Sequence, residues 1–144
     1  MSDPLYRKEL LRLAADATGA GRLAHPCSTG RAFNPACGDR VTVDLAVEDD
    51  RIIGLAHDTK ACVLTQASAA ILGAELVGMS LAEVQSIRSS VAAMLEGDQP
   101  PDAPFDVFAA FVGVVEHKSR HRCVLLPFEA VLAAFEVSDP SEPE

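Results

Sequence analysis

Cys37, Asp39, Cys62 and Cys123 are the residues of this chain whose types and placement best suit chemistry. Asp39 follows Cys37 across a single glycine, so a hard oxygen ligand can lie on the same side of a loop as a soft thiolate. Cys62 and Cys123 each stand where the local pattern starts a helix. A helix N-terminus presents unpaired N–H groups and positive dipole charge, which favour thiolate over thiol. Three thiolates and one carboxylate complete a tetrahedral zinc site, or hold an iron-sulfur cluster with one weaker, replaceable ligand. The competing reading is a set of buried thiols that fill the core, because free cysteine is among the most buried residue types and the chain has no Cys-x-x-Cys pair.

Cys27 sits in the segment HPCSTG, away from any element junction, and reads as an unliganded thiol. His121, two residues before Cys123, is a candidate ligand or proton carrier. His25, His57 and His117 have no motif around them and read as surface or loop residues. Arg120 is placed to pair with Asp39 or with a thiolate. A thiol hydrolase would need a Cys-His-Asp arrangement, which has less support here than the metal-binding set.

The elements that must position these residues follow from periodicity. Apolar residues among charges predict an amphipathic helix over residues 3–18, with Asp3 as cap and Pro4 in its first turn, ended by Gly19 and Gly21. A loop rich in Gly, Pro, Ser and Asn runs to Gly38, with a short edge strand around residues 29–33. Val41, Val43, Leu45 and Val47 then alternate with polar residues, and after Asp49-Asp50 a second strand covers residues 51–56, giving an antiparallel hairpin. Helices are predicted over residues 61–76, 81–95, 105–116 and 123–135. Ser80 with Glu83 three residues later has the form of a capping box, and Pro127 fits the last helix only in its first turn. The expected class is α+β, a small three-stranded antiparallel sheet with helices on one face. Residues 1–137 make a single domain and 138–144 a polar tail.

Composition limits the partners. The chain is 49% hydrophobic over 144 residues, enough for one compact core. Its net charge of -9 opposes binding to phosphate backbones and anionic lipid, so nucleic acid and membrane surfaces are not expected partners. No run approaches the roughly 18 apolar residues of a membrane span, and the charged first segment reads as neither signal nor anchor. A cytoplasmic setting is expected, where spaced cysteines point to metal or catalytic sulfur rather than to disulfides.

Asn34-Pro35-Ala36-Cys37-Gly38-Asp39 before a hairpin, Ala61-Cys62 opening a helix that contains Gln66-Ala67-Ser68-Ala69, and Arg120-His121-Arg122-Cys123 opening the last helix together resemble the NifU-like family. That family comprises IscU-type iron-sulfur scaffolds and SufU-type zinc sulfurtransferases, and the resemblance runs from about Tyr6 to Phe135. It implies a SufE/IscU-like fold and a metal site of Cys37, Asp39, Cys62 and Cys123 that binds zinc, iron or a nascent cluster. It also implies a cysteine desulfurase of SufS or IscS type as sulfur donor and apo iron-sulfur proteins as acceptors, with the chain a scaffold or sulfur acceptor rather than a conventional enzyme. The long interval from Cys62 to Cys123 and the Arg120-x-x-Cys123 pattern are similar to the SufU-type branch, in which Cys37 would accept persulfide sulfur and zinc would be the resting metal. On the IscU-type branch Cys123 would be the acceptor and a [2Fe-2S] cluster the product. Arg122 stands where IscU-type scaffolds carry histidine, and EHKSRHR occupies the stretch of their chaperone-recognition motif. The alternative from another class is a structural zinc domain that binds a protein partner without moving sulfur.

Overall fold

The computed structural model describes residues 8–26 and 28–138. The expected cap at Asp3 and Pro4, Cys27, and the tail beyond residue 138 lie outside the described residues. Three strands, β1 (Ser28–Asn34), β2 (Asp39–Glu48) and β3 (Arg51–Lys60), form one antiparallel sheet in the order β1-β2-β3. The alternation in β2 does what its period requires, since Val41, Val43 and Leu45 are 0–2% exposed against the helices. Asp49 and Asp50 both have positive φ, at 53° and 63°, the pair of left-handed residues that a tight hairpin turn of type I′ demands.

β3 runs to Lys60, four residues past the expected end at Ala56. Residues 58–60 continue the ladder with Thr42, Val41 and Arg40 of β2, and the strand's outer edge finds partners as well. His57 N–H donates to Gly19 C=O at 2.9 Å, Gly21 N–H donates to His57 C=O at 2.8 Å, and Ile52 N–H donates to Met79 C=O at 2.9 Å. Covering the edge in this way also corrects the sequence reading of His57. Opposite Val43 in the register, it is 4% exposed, with Nε2 2.9 Å from Thr18 C=O and Nδ1 2.8 Å from Thr59 Oγ1. Burial holds its pKa below the usual imidazole value, with the Thr18 carbonyl and Asp58 working in the opposite direction.

Among the described residues the helical elements are α1 (Lys8–Asp16), α2 (Val63–Glu75), α3 (Leu81–Leu95), a 3-10 helix over Phe105–Val114, a single 3-10 turn at Lys118–Arg120, and α4 (His121–Ser138). The capping box before α3 is present in both directions, Ser80 with the Glu83 N–H and Glu83 with the Ser80 N–H. The segment expected as an α-helix over residues 105–116 is a 3-10 helix instead. Phe105, Phe108, Phe111 and Val114 are all buried and recur every third residue, which lines them along one side only when a turn holds three residues. Phe108 packs on Phe111 and Phe128 with ring centroids 5.6 and 5.8 Å apart.

Helix α4 lies across β1 and β2, and Gly30 makes that closeness possible: a Cβ there would stand 2.2 Å from Ala130 O and 2.3 Å from Ala134 N. Pro127 falls in the second turn of α4 rather than the first, buried in the core, and its missing N–H lies opposite the Cys123 carbonyl. No helix among the described residues is long and apolar enough to cross a membrane.

Candidate metal centre

One end of the sheet gathers three features: the β1–β2 connection, the N-terminus of α2 and the first turn of α4. The connection, residues 35–38, is a tight loop organised by Asn34. Its side-chain Oδ1 accepts from Ala36 N–H at 3.1 Å and its carbonyl accepts from Gly38 N–H at 2.8 Å. Gly38, with φ of 76°, occupies the left-handed position that lets the chain turn into β2. This geometry leaves Cys37 exposed at the loop and Asp39 buried at 3% where β2 begins.

Cys62 is the N-cap residue of α2, half-buried, and makes no side-chain cap of its own. Asp39 caps the helix across the fold. Its Oδ1 accepts from Cys62 N–H at 3.1 Å, and its Oδ2 accepts from Thr65 Oγ1 at 2.7 Å and from the Cys62 thiol at 3.3 Å. Thr65 also approaches Cys62 Sγ at 3.5 Å. Cys123, 1% exposed in the first turn of α4, places its sulfur 4.0 Å from Cys37 Sγ. Ligand atoms of Cys37, Asp39 and Cys123 all lie within 4.8 Å of one another.

The electrostatics divide the thiols. The hydrogen bond from Cys123 pulls Cys62 down to about 6; burial and the contact with Asp39 oppose it, and bonds from the Thr65 hydroxyl and N–H assist. Cys123 is pushed upward by the bond it gives Cys62, by burial, and by the charges of Cys62, Cys37 and Asp39. The pair is thus biased towards thiolate on Cys62 and thiol on Cys123. Burial works to raise Asp39, but hydrogen bonds from Thr65, Cys62 and Cys37 outweigh it and hold the carboxyl below its ordinary value.

This donor set fits a small cation. Two sulfurs each about 2.3 Å from a tetrahedral zinc stand roughly 3.8 Å apart, and the Cys37–Cys123 separation is 4.0 Å. Three of the four residues singled out in the sequence, Cys37, Asp39 and Cys123, thus lie together, and Cys62 reaches them through Asp39, its sulfur 3.3 Å from Oδ2. His121 does not join them: its Nε2 lies 3.1 and 3.0 Å from the Val114 and Val115 carbonyls, and its Nδ1 faces Glu96 at 3.3 Å. The donors to Asp39 are Cys37, Cys62 and Thr65, not Arg120. Arg122 ties α4 to the sheet by donating to Phe33 C=O at 3.2 Å. Thr65 was missed in the sequence. Its signal was faint, a hydroxyl three residues after a helix-opening cysteine inside an otherwise apolar stripe.

The profile of the NifU-like N terminal domain family matches residues 5–123, ending on Cys123. In three dimensions the chain superimposes on the N-terminal part of a nitrogen-fixing NifU-like protein from Brucella abortus with a TM-score of 0.89 and 30% identity, over 97% of this chain and 98% of that one. The iron-sulfur cluster assembly scaffold protein IscU of Thermotoga maritima is 22% identical over 130 residues, 90% of this chain and 92% of that protein. The zinc-dependent sulfurtransferase SufU of Bacillus subtilis is 23% identical over 99 residues, 68% of this chain and 67% of that protein.

Proposed function

The chain belongs to the NifU-like N terminal domain family, whose relatives are IscU, SufU and NifU-like iron-sulfur assembly proteins, and from that premise we propose that it accepts sulfur at Cys37 from a cysteine desulfurase. The observation that carries this reading is the grouping of Cys37, Asp39 and Cys123, with Cys62 against Asp39, in which Cys37 alone of the three thiols is exposed. A purely structural zinc site has no need of an accessible ligand on a loop tip.

Cys37, Asp39, Cys62 and Cys123 would hold a zinc ion, or an iron-sulfur cluster under assembly, and a bound cation there would keep the thiols deprotonated. In the transfer step Cys37 attacks, as a thiolate, the outer sulfur of the donor's cysteine persulfide. A new S–S bond forms at Cys37 Sγ while the donor's own S–S bond breaks, and the donor cysteine departs as a thiolate. No net oxidation occurs. Buried Cys123 and half-buried Cys62 stay behind the loop as ligands, and Asp39, the one hard donor, is the ligand most readily exchanged. Delivery to apo iron-sulfur proteins and a cytoplasmic setting belong to the same proposal.

The test is sulfur loading from radiolabelled cysteine by a cysteine desulfurase, with Cys37→Ser and Cys123→Ser compared. Cys37→Ser is expected to keep the wild-type circular dichroism and lose the label. Full labelling of Cys37→Ser, with label lost in Cys123→Ser, would move the acceptor to Cys123. Metal analysis after anaerobic purification then separates the cargo: colourless zinc protein supports sulfur relay, and brown protein supports cluster assembly.

A further inference from the structure

Asp39 faces a change of partners whenever a cation binds. Its carboxylate is held by the Cys62 N–H and the Thr65 hydroxyl, with the sulfurs of Cys62 and Cys37 as further neighbours. Sulfurs that bind a cation do so as thiolates, so neither then donates to Asp39. Two donors outlast that change. Cys62 N–H holds Oδ1 at 3.1 Å, and the Thr65 hydroxyl holds Oδ2 at 2.7 Å. One bond to each oxygen fixes both the rotation and the plane of the carboxylate, which a single backbone bond cannot do.

Thr65 is 0% exposed, in the first turn of α2, and its hydroxyl meets no solvent. Its hydroxyl lies 2.7 Å from Asp39 Oδ2 and 3.5 Å from Cys62 Sγ, so the carboxylate is the nearer and stronger acceptor of its proton. Resting on the reading that these four residues bind a metal, we propose that Thr65 is the positioning residue of the centre. It never touches the cation, but it aims Asp39 at the space between the thiols and thereby sets the affinity and geometry of the hard ligand. Partners of this kind, which orient a ligand from behind, typically contribute 10- to 100-fold in metal affinity.

Thr65→Val keeps the branched shape and removes the hydroxyl, and Thr65→Ser restores it. Zinc affinity is measured by competition with a chromophoric chelator, and geometry by the sulfur-to-cobalt charge-transfer and d–d bands of the cobalt-loaded protein. Thr65→Val is expected to weaken zinc by about tenfold or more and to alter the cobalt d–d bands, while Thr65→Ser returns both toward wild type. In an Asp39→Ala background, Thr65→Val is expected to have no further effect, because the group it positions is gone. Urea denaturation of each metal-free variant shows that a folded protein is being compared. Unchanged affinity and spectrum in Thr65→Val, with tight zinc binding by the wild type, would overturn the proposal and leave the metal site standing. Equal weakening by Thr65→Val with and without Asp39 would overturn it too, since the effect would then be general packing. A wild type that binds neither zinc nor cobalt would overturn both the site and its positioning residue.

Discussion

Replacing Gly30 by alanine is expected to destabilise the protein and to loosen its site from a distance. Gly30 does not have the positive φ that makes alanine strained, so the backbone itself tolerates the change. The obstacle is steric. A Cβ would lie 2.2 Å from Ala130 O, 2.3 Å from Ala134 N and 2.9 Å from Ala133 C, all backbone atoms of α4 that no side-chain rotation can clear. Restoring ordinary contact near 3.4 Å requires α4 to retreat from the sheet by about 1 Å. Overpacking of this kind costs about 1–3 kcal/mol, offset by roughly 0.4–1 kcal/mol from the stiffer unfolded chain, so a net loss of about 1–2 kcal/mol is expected. For a chain of this size that corresponds to a midpoint lower by about 4–8 °C. Because α4 carries Cys123 in its first turn, the same retreat opens the 4.0 Å approach to Cys37, and zinc affinity should fall with stability. Thermal unfolding of metal-free protein and chelator competition measure the two effects. Gly54→Ala is the control: its Cβ would meet Ala46 Cβ at 3.5 Å, an ordinary contact, and should be nearly neutral. If Gly30→Ala unfolded at the same temperature as wild type with equal zinc affinity, the claim that this backbone contact sets the position of Cys123 would be wrong.

Two further outcomes follow from buried polar groups. Asp44 accepts from Arg22 at 2.7 and 3.0 Å, from Thr29 at 2.7 Å and from Leu23 N–H at 3.1 Å, and Arg22 above all lowers its pKa from 3.8 to about 2. The unfolded chain therefore takes up this proton first, so the contribution is complete above the unfolded value and is lost as pH falls from about 4 towards 2. Asp44→Asn should cost about 2 kcal/mol at neutral pH, screened because Arg22 is half exposed, and should flatten the acid limb of a urea-midpoint profile; an unchanged limb would refute the assignment. Ser68 Oγ donates to the Val124 carbonyl at 2.6 Å in a fully buried tie between α2 and α4, and Ser68→Ala should lower stability by about 1–2 kcal/mol in urea titration, an unaltered midpoint counting against the tie.

The parts of this fold written in local chemistry were legible. The alternation of Val41, Val43 and Leu45, the Asp49-Asp50 turn, the Ser80/Glu83 box and the helix start at Cys62 all depend on neighbours within a few residues, and each stands as expected. Long-range partnership was not legible. β3 extends to Lys60 because β2 pairs with it back to Arg40, and His57 is buried where residues 19–21 pair with the strand's edge, a contact made across about 36 positions that no local pattern records. The 3-10 helix was visible in the three-residue spacing of Phe105, Phe108, Phe111 and Val114, but a period of 3.0 is easily read as 3.6 over so short a run. At the site, family resemblance pointed to Cys37, Asp39, Cys62 and Cys123, of which Cys37, Asp39 and Cys123 group together, whereas Thr65 required coordinates: its importance lies in one hydrogen bond to a residue 26 positions earlier.

The missing cap on α2 also bears on how far this chemistry can be carried to another scaffold. A synthetic peptide spanning residues 62–75 would retain its cysteine and its helix-forming stripe, but it would begin with an open end, since Asp39 supplies from β2 what Cys62 does not supply for itself. Nor would it retain Cys123, which lowers the Cys62 thiol from α4. The smallest unit that could be grafted with its reactivity intact is discontinuous: the β1–β2 loop, the start of α2 and the first turn of α4, held at fixed spacing. Designers of minimal metallopeptides should therefore copy a junction of three chain segments, not a sequence motif.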